Sequence, residues 1–154
     1  MNFDDRIEEL FLDIPESPPE AGPVVHVVQT GKLLFMSGIY PWKHGKMAYK
    51  GRVGLELTVD AGKLAAHSAT LQFLGILKKH MNGSLSKVKQ IVSLRGYISS
   101  GAEFHDQHKV LDGASQLIYD VFGSVAGKHT RTAIGVTSLP HSAAVSLEFI
   151  VEVK

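Results

Sequence analysis

The stretch from residue 129 to residue 154 constrains the fold more than any other part of the chain. It holds two runs of alternating side chains separated by Leu139-Pro140, a pattern that predicts two strands joined by a turn. The second run places a continuous apolar stripe on one face: Val145, Leu147, Phe149, Val151 and Val153. We therefore expect a sheet that buries one face against a core.

The other face of these predicted strands carries the chemistry. In the first strand, the neighbours of Arg131 on the same face are small residues, including Ala133. If the two strands pair as an antiparallel hairpin, Arg131 shares a surface with Ser146 and Glu148. A guanidinium with space around it suits a carboxylate ligand held bidentately. The alternative is a cross-strand ion pair with Glu148, which would contribute under about 1 kcal/mol.

Composition narrows the class of protein. A chain of 154 residues suits one domain with a real core, and a net charge of +1 predicts neither a nucleic-acid partner nor a membrane partner. There is no cysteine, which excludes disulfides, a thiol nucleophile and thiolate metal ligands. No apolar run approaches the roughly 20 residues that span a bilayer, and the acidic N-terminus lacks a signal-peptide pattern. We therefore expect a cytoplasmic protein.

The order of the predicted elements indicates the fold class. Residues 1–22 predict an N-terminal extension, made of a short helix over Asp4–Leu12 and a proline-rich connector, and residues 23–154 predict a single domain. Within the domain the predicted elements are the strands Val24–Gln29 and Leu33–Ser37, a helix over Thr58–Met81, the strand Val88–Ile98, a helix over Phe104–Phe122 and the two C-terminal strands. This order predicts an α+β fold with both helices on one sheet face. The other sheet face would then be uncovered, so we expect the chain to associate with copies of itself.

At two places the chain resembles the Rid/YjgF superfamily, the reactive intermediate (imine) deaminases that also carry the label endoribonuclease L-PSP. The first is the stretch from Leu33 to Gly38 followed by Pro41, and the second is Arg131 followed by Leu139-Pro140 and a closing strand. The resemblance implies a chorismate-mutase-like two-layer fold with a mixed, mostly antiparallel sheet. It also implies a homotrimer in which the sheets line a barrel and the clefts lie between subunits.

The resemblance also implies a reaction. In active members an arginine of the intersubunit cleft binds the carboxylate of a 2-imino or 2-enamino acid. A glutamate positions the water that attacks the C=N carbon, which releases ammonia and a 2-keto acid. Neither a metal nor a cofactor takes part, which is chemically reasonable because the imine is already electrophilic and needs only positioning and charge stabilisation.

Carried over residue by residue, the resemblance assigns catalytic positions first. Arg131 matches the carboxylate-binding arginine. The water-positioning glutamate falls at Ser146, so Glu148 is the remaining catalytic carboxylate, one strand repeat away. Ala133 stands where the family often has cysteine. These departures leave binding better supported than chemistry.

The remaining candidate residues are substrate-binding ones. Ser37 and Gly38 match the Ser-Gly turn of the cleft, and Tyr40 after that turn either rims the cleft or anchors the loop. The cleft residue on the second helix is either His108 or Asp112. The histidines and carboxylates of this helix are interpreted as solvated residues rather than as a metal site, and we expect no metal and no cofactor.

Three functions are therefore open at this point. The first is a Rid-like trimer that binds a small carboxylate or imino acid and hydrolyses imines. The second is a non-catalytic member that binds and regulates or scavenges a metabolite, which Ser146 favours. The third is the ribonuclease or translation inhibitor of the family label, which the near-zero net charge disfavours.

Overall fold

A computed structural model describes residues 2–154 and contains seven strands and three α-helices within that range. The short helix α1 comes first and the strands β3 and β4 follow the opening strand pair. The elements are α1 Phe3–Glu9, β1 Val27–Thr30, β2 Leu33–Ile39, β3 Trp42–Lys43, β4 Lys46–Met47, α2 Val59–His80, β5 Val88–Ser99, α3 Gln107–Ala126, β6 Thr130–Val136, the one-turn 3-10 helix Pro140–Ser142 and β7 Val145–Val153.

Five strands form the main sheet in the order β1-β2-β7-β5-β6. Neighbouring strands are antiparallel except β5 and β6, which are parallel. Helices α2 and α3 pack together on one face of this sheet, and α1 packs on α3. The structure confirms the predicted α+β fold, with two helices on one face of a mixed, mostly antiparallel sheet.

The predicted C-terminal hairpin is wrong, because β5 lies between β6 and β7. Residues 137–144 connect the two strands, and a connection of this length can cross a neighbouring strand, whereas a tight hairpin loop has two to five residues. Alternation along a strand identifies its two faces but not its neighbours, so the sequence pattern did not show that β5 lies between the two C-terminal strands.

The register of β5 decides which side chains share a face. Leu94 is the partner of both Arg131 and Phe149, so Arg131 lies on the helix face of the sheet. The next residue, Arg95, is the partner of Glu148, so Glu148 lies on the face that the helices leave uncovered, called here the open face. The predicted shared surface of Arg131 with Glu148 and Ser146 is therefore wrong.

The apolar stripe of β7 forms the centre of the core, as predicted. Phe149 is buried and its ring stacks on Phe73 of α2, with 3.8 Å between the ring centroids. Helix α2 begins after Thr58, whose Oγ1 accepts a hydrogen bond from the backbone N–H of Ala61. In contrast, Leu64 of the same helix is 53% exposed.

The N-terminal helix packs into the same core. Ile7 is buried, and Phe3 meets Phe122 edge to face at a centroid distance of 5.0 Å. The helix ends at Glu9 rather than Leu12, and Phe11, which lies within the predicted helix, is exposed at a positive φ of 54°. The boundary at residue 23 stays a prediction.

Candidate functional site

Arg131 lies on the edge strand β6 and reaches toward helix α3. Its Nη1 donates to Asp112 Oδ1 at 2.8 Å and to Ser115 Oγ at 3.2 Å, and its Nη2 donates to the carbonyl oxygen of His108 at 3.1 Å. The predicted ion pair with Glu148 does not form. Both helix candidates of the sequence analysis thus contact Arg131, Asp112 through its side chain and His108 through its backbone.

Part of the guanidinium is left for a ligand. Arginine has five N–H donors, and the three hydrogen bonds above use three of them. Among residues 2–154, Nε has no partner and Nη2 has one, so these two nitrogens retain one free N–H each. The Arg131 side chain is 25% exposed, and Asp112, at 57%, can yield to a ligand carboxylate. We call Arg131, Asp112, Ser115 and Ala133 the arginine edge.

Two glycines seat α3 close enough to make this contact. A methyl group at Gly96 of β5 would lie 2.4 Å from a Leu111 side-chain carbon, and one at Gly113 of α3 would lie 2.2 Å from the carbonyl oxygen of Lys63. Side chains at these positions would push α3 away from the sheet and from α2. Because neither glycine has a side chain, α3 lies close to the sheet and Asp112 can reach Arg131 on β6.

A second group of predicted residues meets at the other side of the sheet. The register of β2 on β7 shifts between Met36 and Ile39, which turns the Ser-Gly pair out of the regular ladder. A methyl group at Gly38 would lie 3.6 Å from both Ser146 Oγ and Tyr40 Oη. We call Ser37, Gly38, Tyr40 and Ser146 the serine-glycine turn.

Tyr40 also anchors its loop. Its ring lies edge-on to His141 at a centroid distance of 6.0 Å, and Trp42 lies 5.0 Å from the same ring. The Leu-Pro turn is therefore fastened to the segment that follows the serine-glycine turn. Tyr40 thus lies beside Gly38 and anchors its loop, and its place at the rim of a cleft stays a prediction.

The arginine edge and the serine-glycine turn do not meet within one chain. Strands β7 and β5 separate β2 from β6, which corresponds to about 14 Å across the sheet at about 4.8 Å per strand. Ser146 is the partner of Tyr97 on the open face, whereas Arg131 is on the helix face. A single ligand contacts both groups only if they come from different chains.

The open face carries a depression of about 370 Å³ that sequence reasoning did not identify. Glu148 and Arg95 line it together with Ser37 and apolar side chains such as Phe35. Glu148 accepts a hydrogen bond from the hydroxyl of Tyr97, and this bond raises the pKa of Tyr97 above its usual value. Arg95 has no ion pair within the described part of the chain.

Sequence reasoning also missed His129. Its Nε2 lies 2.9 Å from Ser115 Oγ, and its Nδ1 lies 2.8 Å from the carbonyl oxygen of Gly127. Two signals could have found it: His129 precedes Arg131 by one strand repeat, and Ser115 follows Asp112 by about one helical turn.

The chain belongs to the family described as "YjgF/chorismate_mutase-like, putative endoribonuclease", whose model matches residues 5–152. It is 35% identical over 147 residues to Protein TCP17 of Trypanosoma cruzi, which covers 96% of this chain and 91% of that protein. The resemblance to the Rid/YjgF superfamily is thereby confirmed.

Solved structures agree with this assignment. Atu1372 from Agrobacterium tumefaciens is 36% identical with a TM-score of 0.91, over 99% of this chain and 92% of that one. A protein from Shewanella oneidensis with an endoribonuclease label is 31% identical with a TM-score of 0.93, over 99% and 100%. Escherichia coli TdcF with bound serine, 18% identical over 90% and 94%, shares the fold with a TM-score of 0.62.

No helix within residues 2–154 is long and apolar enough to cross a membrane. No group of three or more histidine, cysteine, aspartate or glutamate side chains in this range is arranged to hold a metal ion. A cytoplasmic location stays a prediction.

Proposed function

We propose that the chain binds a small carboxylate metabolite in a cleft between the subunits of a homotrimer. The arginine edge of one subunit faces the serine-glycine turn of the next, and Arg131 holds the ligand carboxylate. The observation that carries this proposal is that Arg131 is fixed by three acceptors while Nε and Nη2 retain free N–H groups. A guanidinium held in place before binding loses less conformational entropy when the ligand arrives.

Two features support a site that is shared between chains. Ser37 and Gly38 on β2 lie about 14 Å across the sheet from β6, which is too far for a small ligand in one chain to bridge. The open face also exposes apolar side chains, with Val28 at 57% and Phe35 at 43% exposure. Such side chains on an uncovered sheet face favour a contact with other copies of the chain.

The geometry supports binding better than imine hydrolysis. A water molecule that attacks the C=N carbon needs a proton acceptor, and at the family's position for it this chain has the hydroxyl of Ser146. Glu148 faces the open side of the sheet and is engaged by Tyr97. We therefore place the chain among non-catalytic metabolite-binding members, and no cofactor is required.

Two measurements test the proposal. Calorimetric titration with pyruvate and 2-ketobutyrate should show binding, and the absence of binding for both would overturn it. The decay of 2-iminobutyrate generated in situ should be no faster with the wild-type chain than with Arg131→Ala. Ser146→Glu, which restores the carboxylate, should accelerate it. A wild type that accelerates decay in an Arg131-dependent way would instead assign imine hydrolysis as the function.

A further inference from the structure

We propose that Ser115 and His129 form a nucleophile–base dyad that hydrolyses small esters. Ser115 Oγ and His129 Nε2 are 2.9 Å apart, and the other ring nitrogen of His129 is 2.8 Å from the carbonyl oxygen of Gly127. A nucleophile within hydrogen-bond reach of a base that a third group orients is the arrangement used in covalent acyl transfer. The dyad shares Ser115 with the arginine edge, but ester hydrolysis is a different activity from the carboxylate binding proposed above.

The protons of the dyad are placed by their partners. A carbonyl oxygen only accepts hydrogen bonds, so Nδ1 of His129 carries the proton toward Gly127. In the neutral imidazole Nε2 is then the free acceptor. Ser115 Oγ already accepts a hydrogen bond from Nη1 of Arg131 at 3.2 Å, which leaves its own hydrogen to point at His129. This is the proton arrangement that a general base needs before it activates a hydroxyl.

The surroundings admit a substrate. Ser115 and His129 line an open depression of about 790 Å³ on the helix side of the sheet, outside the open face. Lys63, Lys128 and Asp112 line the same depression, and the Arg131 guanidinium, paired with Asp112, lies 3.2 Å from Ser115 Oγ. These cations favour the negative charge that develops on the carbonyl oxygen of an acyl group under attack.

The chemistry requires only an ester and water. Ser115 Oγ forms a bond to the ester carbonyl carbon while its proton passes to Nε2 of His129. The bond to the alcohol oxygen then breaks, and His129 returns the proton to the leaving alcohol. Water attacks the acyl-serine, gives its proton to His129, and the carboxylic acid leaves as Ser115 recovers its hydrogen.

The test uses two probes on the full-length chain. With 4-nitrophenyl acetate, release of 4-nitrophenol should be faster for the wild type than for Ser115→Ala and His129→Gln by about 100-fold, the scale of general-base assistance. Glutamine keeps an acceptor near Nε2 but takes up no proton. A fluorophosphonate should label the wild type, and peptide mass mapping should find the label on Ser115.

The matched control is Ser124→Ala, an exposed serine on the same helix, which should hydrolyse the ester at the wild-type rate. Pyruvate binding should persist in His129→Gln, since Asp112, Ser115 and the carbonyl of His108 still hold Arg131, so failure of the dyad and failure of the cleft are distinguishable. Equal ester hydrolysis by wild type and Ser115→Ala, or a fluorophosphonate label on any other residue, would overturn the proposal.

Discussion

Each face of the main sheet carries an arginine, but only the one on the helix face is held by hydrogen-bond acceptors. Arg131, beside Leu94 on the helix face, is held by three acceptors and is largely covered. Arg95, one position further along β5 on the open face, is exposed and has no ion pair within residues 2–154. The difference teaches that the position of an arginine relative to the helix layer decides whether its guanidinium is held in place by acceptors.

The largest expected effect is a difference in the free energy of unfolding between a substitution on the helix face and one on the open face. Phe149→Ala should lower the free energy of unfolding by about 3–5 kcal/mol, because it removes a buried ring that stacks on Phe73. Ile150→Ala on the open face should cost clearly less, since that side chain is only half-buried in the chain. Urea unfolding of both variants measures this, and equal losses would show that the faces do not differ as described.

The next effect is a difference in pyruvate affinity between substitutions of the two arginines. Arg131→Ala should weaken pyruvate binding at least about 30-fold, which corresponds to roughly 2 kcal/mol for a charge-assisted contact. Arg95→Ala should leave the affinity unchanged. Calorimetry of both variants decides between the faces, because a loss confined to Arg95→Ala would place the carboxylate site in the open-face depression.

Much of the fold was predictable because its signals are local. The start of the long helix at Thr58 and the alternation of β7 depend on neighbouring residues only, and both predictions are confirmed. The β3–β4 ribbon was missed although His44 and Gly45, both at positive φ, make the kind of two-residue turn that hairpins use. Such turns are usually recognised from the sequence Asn-Gly, and His44-Gly45 does not match it.

The candidate site was less predictable because it depends on distant residues. Arg131 was singled out by its small neighbours, but its partner Asp112 is 19 positions away on another element. Their contact exists only because Gly96 and Gly113 let α3 sit close to the sheet and to α2. The order of the strands likewise required β5 between β6 and β7, which no local pattern indicates.

A smaller effect tests the open face through Tyr97. Its pKa is raised above the ordinary value of 10.0, first by the hydrogen bond that it donates to Glu148 and then by burial. The stabilisation linked to this shift is present below the unfolded pKa and is lost as the pH rises through the folded one. Glu148→Gln should lower the pKa of Tyr97 in an ultraviolet absorbance titration, and an unchanged titration would contradict the assigned contact.

The smallest effect lies on the helix side. Burial lowers the pKa of His67 below its ordinary 6.5, against an opposing effect of Asp120. The imidazole of His67 is therefore protonated at a higher pH in the unfolded chain than in the folded chain. As the pH falls from about 6.5 toward the folded pKa, His67 should lower the free energy of unfolding. His67→Gln should therefore lose less stability than the wild type over this interval in pH-dependent urea unfolding, and parallel curves would refute the shift.

The most direct test of the shared cleft mixes two binding-deficient chains. Arg131→Ala removes the guanidinium, and Ser37→Phe fills the serine-glycine turn at an exposed position, so each pure variant should fail to bind pyruvate. After dissociation and random reassembly, about one quarter of the clefts combine an intact arginine edge with an intact turn from a neighbour. Calorimetry of the reassembled mixture should recover that fraction of sites, whereas no recovery from a mixture that has exchanged subunits would show that the ligand is not bound between chains.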